Sequence, residues 1–395
     1  MSFSFAFDID ASELDDQLDI PTASLNSLKL EPDEPSAAST SAVPHAPVPL
    51  ADLLATLPPL LSYTPVEVPV SSQPTRPVTL LRRDLFDARF QILNQDENPD
   101  EPTSVKQDKG KQREDSFIDE TSDLVKGVYE GGLKTWECSL DLVDCLDQRG
   151  YSIDTDLDVA RVRGKAVLEV GCGTAVPTCA LFARLLNEIR QSPTREGQPP
   201  KHKTRIHLQD YNKQVLSLIT LPNLLLTYAH HLIVTRAAVT EPTREADDDA
   251  ARADSDMPQF KGPGEFDVTP EFLESFESFL EREQISLEFS QGDWSGMGSS
   301  WTEGFDIVLT SETVYSVPSL SPLLDLLETA SRGKSDHLCL VACKRIYFGV
   351  GGGELEFRRR VEERGGQVES VWGEGTGKGK SEGVGRTVMK VVWKQ

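Results

Sequence analysis

Residues 165–175 read KAVLEVGCGTA, and the reading of this stretch decides the fold. The short run 165–169 (KAVLE) reads as a strand ending on an acid, Glu169, and the small residues Gly171, Gly173 and Ala175 follow almost at once. Gly171 and Gly173 carry no Cβ, so the backbone can turn tightly and approach a ligand closely. Ala175 lets the next element, a helical run over 176–189, pack near the strand. The turn lacks the G-x-G-x-x-G of a dinucleotide site, and no GK[ST] follows to neutralise phosphate.

The pattern repeats outward. Apolar runs at 204–209, 285–290, 305–310, 337–343 and 387–393 read as strands, and 135–147, 212–228, 319–331 and 354–363 as helices, the second broken near Pro222. Strands alternating with helices build a parallel sheet from right-handed crossovers. The expected fold is therefore α/β, a doubly wound, mostly parallel sheet spanning about 120–395. In such sheets ligands lie beyond the carboxyl ends of the strands. Three strands end there on acids, at Glu169, Gln209-Asp210 and Gly292-Asp293. A carboxylate at a strand end can accept both hydroxyls of a ribose, and an anionic rim without a phosphate-binding lysine suits a cationic, phosphate-free nucleoside. S-adenosyl-L-methionine is such a ligand.

Charge divides the rest of the chain. The net charge is −24, and three stretches, 1–60, 94–120 and 241–284, hold all of the surplus; elsewhere acids and bases balance. High charge with little apolar surface cannot offset the entropy of ordering. Residues 1–60 are expected to be a disordered acidic tail, and 61–119 a poorly ordered region with a strand pair at 78–93. An acidic insertion occupies 241–284, with helical spacing of Phe272, Phe276, Phe279 and Leu280 near its end. The surplus argues against direct binding to nucleic acid. No apolar run reads as a membrane span, and the acidic stretch 1–10 does not read as a secretory signal. Six scattered cysteines make neither a disulfide framework nor a metal site, so a reduced, intracellular chain is expected.

The segments DLV–GVYEGGLK–WEC (123–138), QDYN (209–212), TLPN (220–223), GDWS (292–295), TSET (310–313) and YFGVGGG (347–353) together resemble the protein-histidine N-methyltransferases of the methyltransferase-like group. The resemblance runs in order over 120–395, apart from the insertion. It implies a seven-stranded Rossmann-like class I methyltransferase fold and transfer of a methyl group to the distal ring nitrogen of a histidine. The implied substrate is a large-subunit ribosomal protein, and the enzyme a monomer of cytoplasm and nucleus. Ala175 and Asp293 depart from the glycine and glutamate usual at these positions. Two other readings remain open at this stage: a lysine acceptor, or a non-catalytic scaffold whose acidic tails dock basic ribosomal proteins.

The resemblance also assigns roles. Thr135, Trp136, Glu137, Cys138 and Ser139 would lie over the methionine part of the cofactor, with Glu137 receiving its ammonium. Glu169, Gly171 and Gly173 would form the loop beneath it, and Gln209, Asp210 and Tyr211 would hold ribose and adenine. Gly292, Asp293 and Trp294 would flank the ring, and Ser311 and Glu312 would stand where donor and acceptor meet. Neutral imidazole is already nucleophilic near pH 7, so positioning matters more than a strong base. Glu312, Tyr315 and Tyr347 are the candidates for orienting it.

Overall fold

The computed structural model describes residues 43–88, 91, 132–153, 160–194, 200, 202–239, 262–334, 336–348, 351–373 and 384–393. Expectations for 1–42, 94–116, the motif residues 123–131 and the acidic run 241–261 lie outside these residues.

In chain order the elements are β1 (Ala46–Val48), α1 (Leu50–Leu54), β2 (Leu60–Val68), β3 (Val78–Arg83), α2 (Glu137–Leu146), β4 (Ala166–Val170), α3 (Val176–Gln191) and β5 (Thr204–Asp210). There follow α4 (Leu221–Val239), β6 (Gly264–Asp267), α5 (Pro270–Arg282), β7 (Ile285–Gln291), β8 (Ile307–Ser311), α6 (Leu320–Ala330), β9 (Leu338–Lys344), α7 (Glu354–Glu363), β10 (Gln367–Gly373) and β11 (Arg386–Val392).

The main sheet runs β1-β7-β5-β4-β8-β9-β11-β10. Its five central strands are parallel, from Thr204↔Ile285 on one flank to Ile307↔Leu338 on the other. β11 and β10 close one side antiparallel. The chain leaves β4 toward β5 and β7, then returns to β8 and β9, so the switch point lies at the carboxyl end of β4. Alternation along each strand divides the core. On β9, Leu340 and Ala342 face the cluster shared with α2, α3 and α4, whereas Cys339, Val341 and Cys343 face α6 and α7.

The following expectations are corrected. The seven strands gain an eighth: Ala46–Val48 pairs antiparallel with β7, so residues 43–60 are no disordered tail. Val48 and Leu53 are buried in the main core, and this apolar contact offsets the cost of ordering the segment. The strand pair at 78–93 is instead a single strand, β3, whose partner is β2, followed by a helical turn. β2 also pairs with β6 inside the insertion, from Leu60↔Asp267 to Tyr63↔Gly264, giving a second, three-stranded antiparallel sheet. Finally, Lys213–Ile233 is long and apolar enough to cross a membrane by length and composition, but 78% of that window is buried inside the fold. It is a core helix.

That helix is not broken at Pro222. The five residues Leu216–Thr220 widen into a π-turn just before it. Proline has no N–H to give the carbonyl four residues back, at Leu218. Arg83 Nη1 donates to that carbonyl at 2.9 Å instead, and Arg83 N–H donates to Asn223 Oδ1 at 2.8 Å. The small sheet is thereby tied to the strand–helix unit that carries the site.

Candidate active site

At the switch point Gln209, near the end of β5, ties together the loops after β4 and β7. Its Oε1 accepts from Gly171 N–H (3.1 Å) and from Trp294 Nε1–H (2.8 Å), and its Nε2 donates to the Gly292 carbonyl (2.8 Å). Gln209 is fully buried, so it acts as a brace between the loops after β4 and β7. Beside it, Asp210 Oδ2 accepts from Gly173 N–H (2.9 Å) and Oδ1 from Asn212 N–H (3.2 Å). Gly171 and Gly173 both have positive φ, at 61° and 50°. A Cβ on Gly171 would lie 2.6 Å from Thr313 Cγ2, and one on Gly173 would lie 3.2 Å from the Gly132 backbone.

Glu169 lies elsewhere than expected. Its Oε2 accepts from Thr178 N–H (3.0 Å) and from the Thr178 hydroxyl in the first turn of α3, and its Oε1 is buried without a partner. Burial pushes this carboxyl up to about 8, against the pull of the Thr178 hydrogen bonds. The side chain supports the helix start rather than offering an open acceptor to a ribose.

At the other end of the crevice, Glu312 follows β8 with φ 57°, a left-handed conformation unusual for a residue with a side chain. Its N–H donates to the Ala342 carbonyl at 3.0 Å, which fixes the turn against β9. The Tyr347 hydroxyl donates to Glu312 Oε2 at 2.5 Å, while Oε1 is buried and has no hydrogen-bond partner. Burial, reinforced by Glu312, pushes the Tyr347 phenol well above its ordinary range, so it remains a donor. The Tyr315 ring meets the Tyr347 ring edge-on, centroids 6.3 Å apart. Lys344 Nζ stands 3.4 Å from Glu137 Oε2, 3.9 Å from Glu312 Oε1 and 5.2 Å from the centre of the Trp136 ring.

Trp136 caps α2 and is half-buried, Glu137 is exposed, and Cys138 and Ser139 are buried beneath them. Burial raises the Cys138 thiol well above its ordinary range. Ser139 Oγ donates to the Trp136 carbonyl (2.6 Å), and Thr135 Oγ1 to Thr174 Oγ1 (3.3 Å).

With this geometry in view, the relatives are informative. Histidine protein methyltransferase 1 of Schizosaccharomyces pombe is 32% identical over 369 residues, covering 91% of this chain and 85% of that protein. The chain belongs to the histidine protein methyltransferase family. The protein of the same name from Saccharomyces cerevisiae is 30% identical over 313 residues, covering 77% of this chain and 73% of that protein. A bovine homolog is 29% identical over 255 residues, 62% of this chain and 51% of its own length. An S-adenosylmethionine-dependent methyltransferase from Clostridium acetobutylicum superposes on 66% of this chain and 93% of its own, at a TM-score of 0.32 and 8% identity. No family model matches.

The crevice gathers the residues singled out in the sequence into two groups. Gly171, Gly173, Gln209, Asp210, Tyr211, Gly292, Asp293 and Trp294 form one end; Trp136, Glu137, Glu312, Tyr315 and Tyr347 form the other. Ser311 closes β8 in register with Ala342. Lys344 was missed, although it is the first polar residue after a buried apolar strand, the position that singled out Asp210. Thr313 was quoted only within a motif, and its contact with Gly171 is three-dimensional.

Proposed function

We propose that the chain transfers a methyl group from S-adenosyl-L-methionine to the distal ring nitrogen of a histidine in a large-subunit ribosomal protein. The residues suit that cofactor: Gly171 and Gly173 hold the loop after β4 in left-handed turns packed tightly on Thr313 and Gly132, where a side chain would not fit, and Asp210 and Asp293 offer acidity without a phosphate-binding lysine. Asp210 would hold the ribose, Tyr211 and Trp294 would flank the adenine, and Glu137 would take the ammonium. When bound, the cofactor supplies a methyl group on a positively charged sulfur.

The observation that carries the acceptor is Glu312. With Tyr347 donating to Oε2, the buried Oε1 makes no hydrogen bond of normal length and has only the Lys344 ammonium 3.9 Å away and the Cys138 thiol beside the carboxylate, and an under-used buried acceptor is costly. An imidazole fills it: the proximal N–H donates to Oε1, and the distal nitrogen keeps its lone pair free on the opposite side of the ring. Glu312 also stabilises the positive charge that the ring acquires. Positioning and exclusion of water supply most of the acceleration. The family membership supports histidine over lysine. The reading carries with it a monomeric enzyme working in cytoplasm and nucleus, without membrane or direct nucleic-acid contact.

The test is transfer of a tritiated methyl group to the purified ribosomal protein, beside a substrate in which the accepting histidine is alanine. Label in the wild-type substrate alone is expected, and full labelling of the alanine substrate would sink the assignment. Calorimetric titration with S-adenosylhomocysteine separates an enzyme from a scaffold.

A further inference from the structure

We infer that residues 43–48 belong to the cofactor site, as a strap that positions Tyr211 and Asp293 at its nucleoside end. The inference rests on the reading of those two residues given above. Val43 reaches both with its own peptide groups: its carbonyl accepts from Asp293 N–H at 2.8 Å, and its N–H donates to the Tyr211 hydroxyl oxygen at 3.2 Å. One residue from outside the seven-stranded fold therefore bridges the turns after β5 and β7.

The contact is close-fitting. Gly292 has φ 93°, and a Cβ there would lie 2.3 Å from the Pro44 carbonyl oxygen and 2.8 Å from that of Val43. Only glycine admits the strap at this distance. The loop is braced from beneath by Gln209 Nε2, which donates to the Gly292 carbonyl. The strap is anchored beyond the site, where Ala46, Pro47 and Val48 align with Gln291, Ser290 and Phe289, and Val48 is buried in the main core. Val43 itself is 37% exposed, so its place is set by its peptide hydrogen bonds rather than by burial. These hydrogen bonds fix the tilt of the Tyr211 ring and the direction of the Asp293 backbone, the two variables that an adenine-binding wall must control. Residues 43–48 are thus positioning residues for the cofactor, and through it for the methyl group.

The test uses the full-length chain with two substitutions, Val43→Pro, which removes the N–H given to Tyr211, and Val48→Asp, which places a charge in the anchor. Binding of S-adenosylhomocysteine is measured by calorimetry, and release of the strap by hydrogen exchange at the Asp293 amide. Each variant is expected to bind at least about tenfold more weakly, with faster exchange at Asp293 in Val48→Asp. Should Val48→Asp fail to fold, Val43→Pro decides alone. Wild-type affinity in folded Val43→Pro, or in a folded Val48→Asp whose Asp293 amide exchanges faster, overturns the strap. A wild-type chain that binds no S-adenosylhomocysteine overturns the nucleoside reading itself, and the strap with it.

Discussion

Replacing Glu169 by glutamine should change how the stability of this protein depends on pH. Burial holds the Glu169 carboxyl at about 8 in the fold, against an ordinary 4.5. Between those values the folded state keeps a proton that the unfolded chain has lost, so stability falls as pH rises through this window and levels off above about 8. Below about 4.5 the group costs nothing, because both states are protonated. At about 1.4 kcal/mol per unit, the full shift corresponds to roughly 5 kcal/mol. Since the carboxyl is sealed from water, screening removes little of it. Glutamine is the neutral isostere and cannot titrate. Its amide has to stand where Oε1 has no partner, which adds a constant cost of about 1–3 kcal/mol, so the slope is diagnostic and the absolute value is not. Urea unfolding followed by tryptophan fluorescence, at intervals from about pH 5 to about pH 7.5, should show the variant gaining roughly 3 kcal/mol on the wild type across that range. Parallel stability curves for the two proteins would refute the reasoning and return Glu169 to an ionised role in the crevice.

Asp210→Asn retains the size of the side chain but loses the charge that accepts from Gly173 and Asn212; cofactor affinity measured by calorimetry should fall at least about tenfold, each tenfold being about 1.4 kcal/mol. Tyr347→Phe removes the donor to Glu312 Oε2, and steady-state methylation should show kcat reduced by about 10–100-fold while cofactor affinity holds, on the scale of a positioned hydrogen-bonding group. Lys344→Met leaves Glu137 and Glu312 without the ammonium between them, and kcat/KM should fall by about tenfold, with partial rescue by Lys344→Arg. All six cysteines are buried, so iodoacetamide at neutral pH should label the protein by mass spectrometry only after denaturant is added.

The parts of the fold legible in the sequence were those buried on both faces. β4, β8 and β9 read as continuous apolar runs because helices cover them on either side, and the ends of β5, β7 and β8 pointed to Asp210, Asp293 and Glu312. The small sheet was obscured for physical reasons. β2 contains Pro65, which ordinarily argues against a strand flanked on both sides. The ladder with β6 ends at Tyr63↔Gly264, so Pro65 pairs only with Leu81 of β3 and its missing N–H breaks nothing on the β6 side. β10 escaped notice because it is polar in alternation and carries a bulge between Ser370 and Trp372. In the site, the glycine loop and the strand-end acids were visible as local patterns. Glu169 was misjudged because spacing along a strand does not tell which strand-end acid is sealed behind a helix. The Gln209 brace and the Lys344 bridge depend on contacts between loops far apart in sequence.

The small sheet has a consequence for biosynthesis. β2 and β3 leave the ribosome early, yet the third strand of their sheet is β6, and the strap's partner, β7, comes later still. A nascent chain therefore carries an unfinished sheet edge and a loose amino-terminal segment until most of the parallel strands exist. Pairings between distant segments form slowly, because the loop must close before any contact rewards it. The nucleoside end of the crevice is thus completed only once β7 exists, and a ribosome-stalled chain ending before Ile285 would have the glycine loop and the strap segment but no strand to seat the strap.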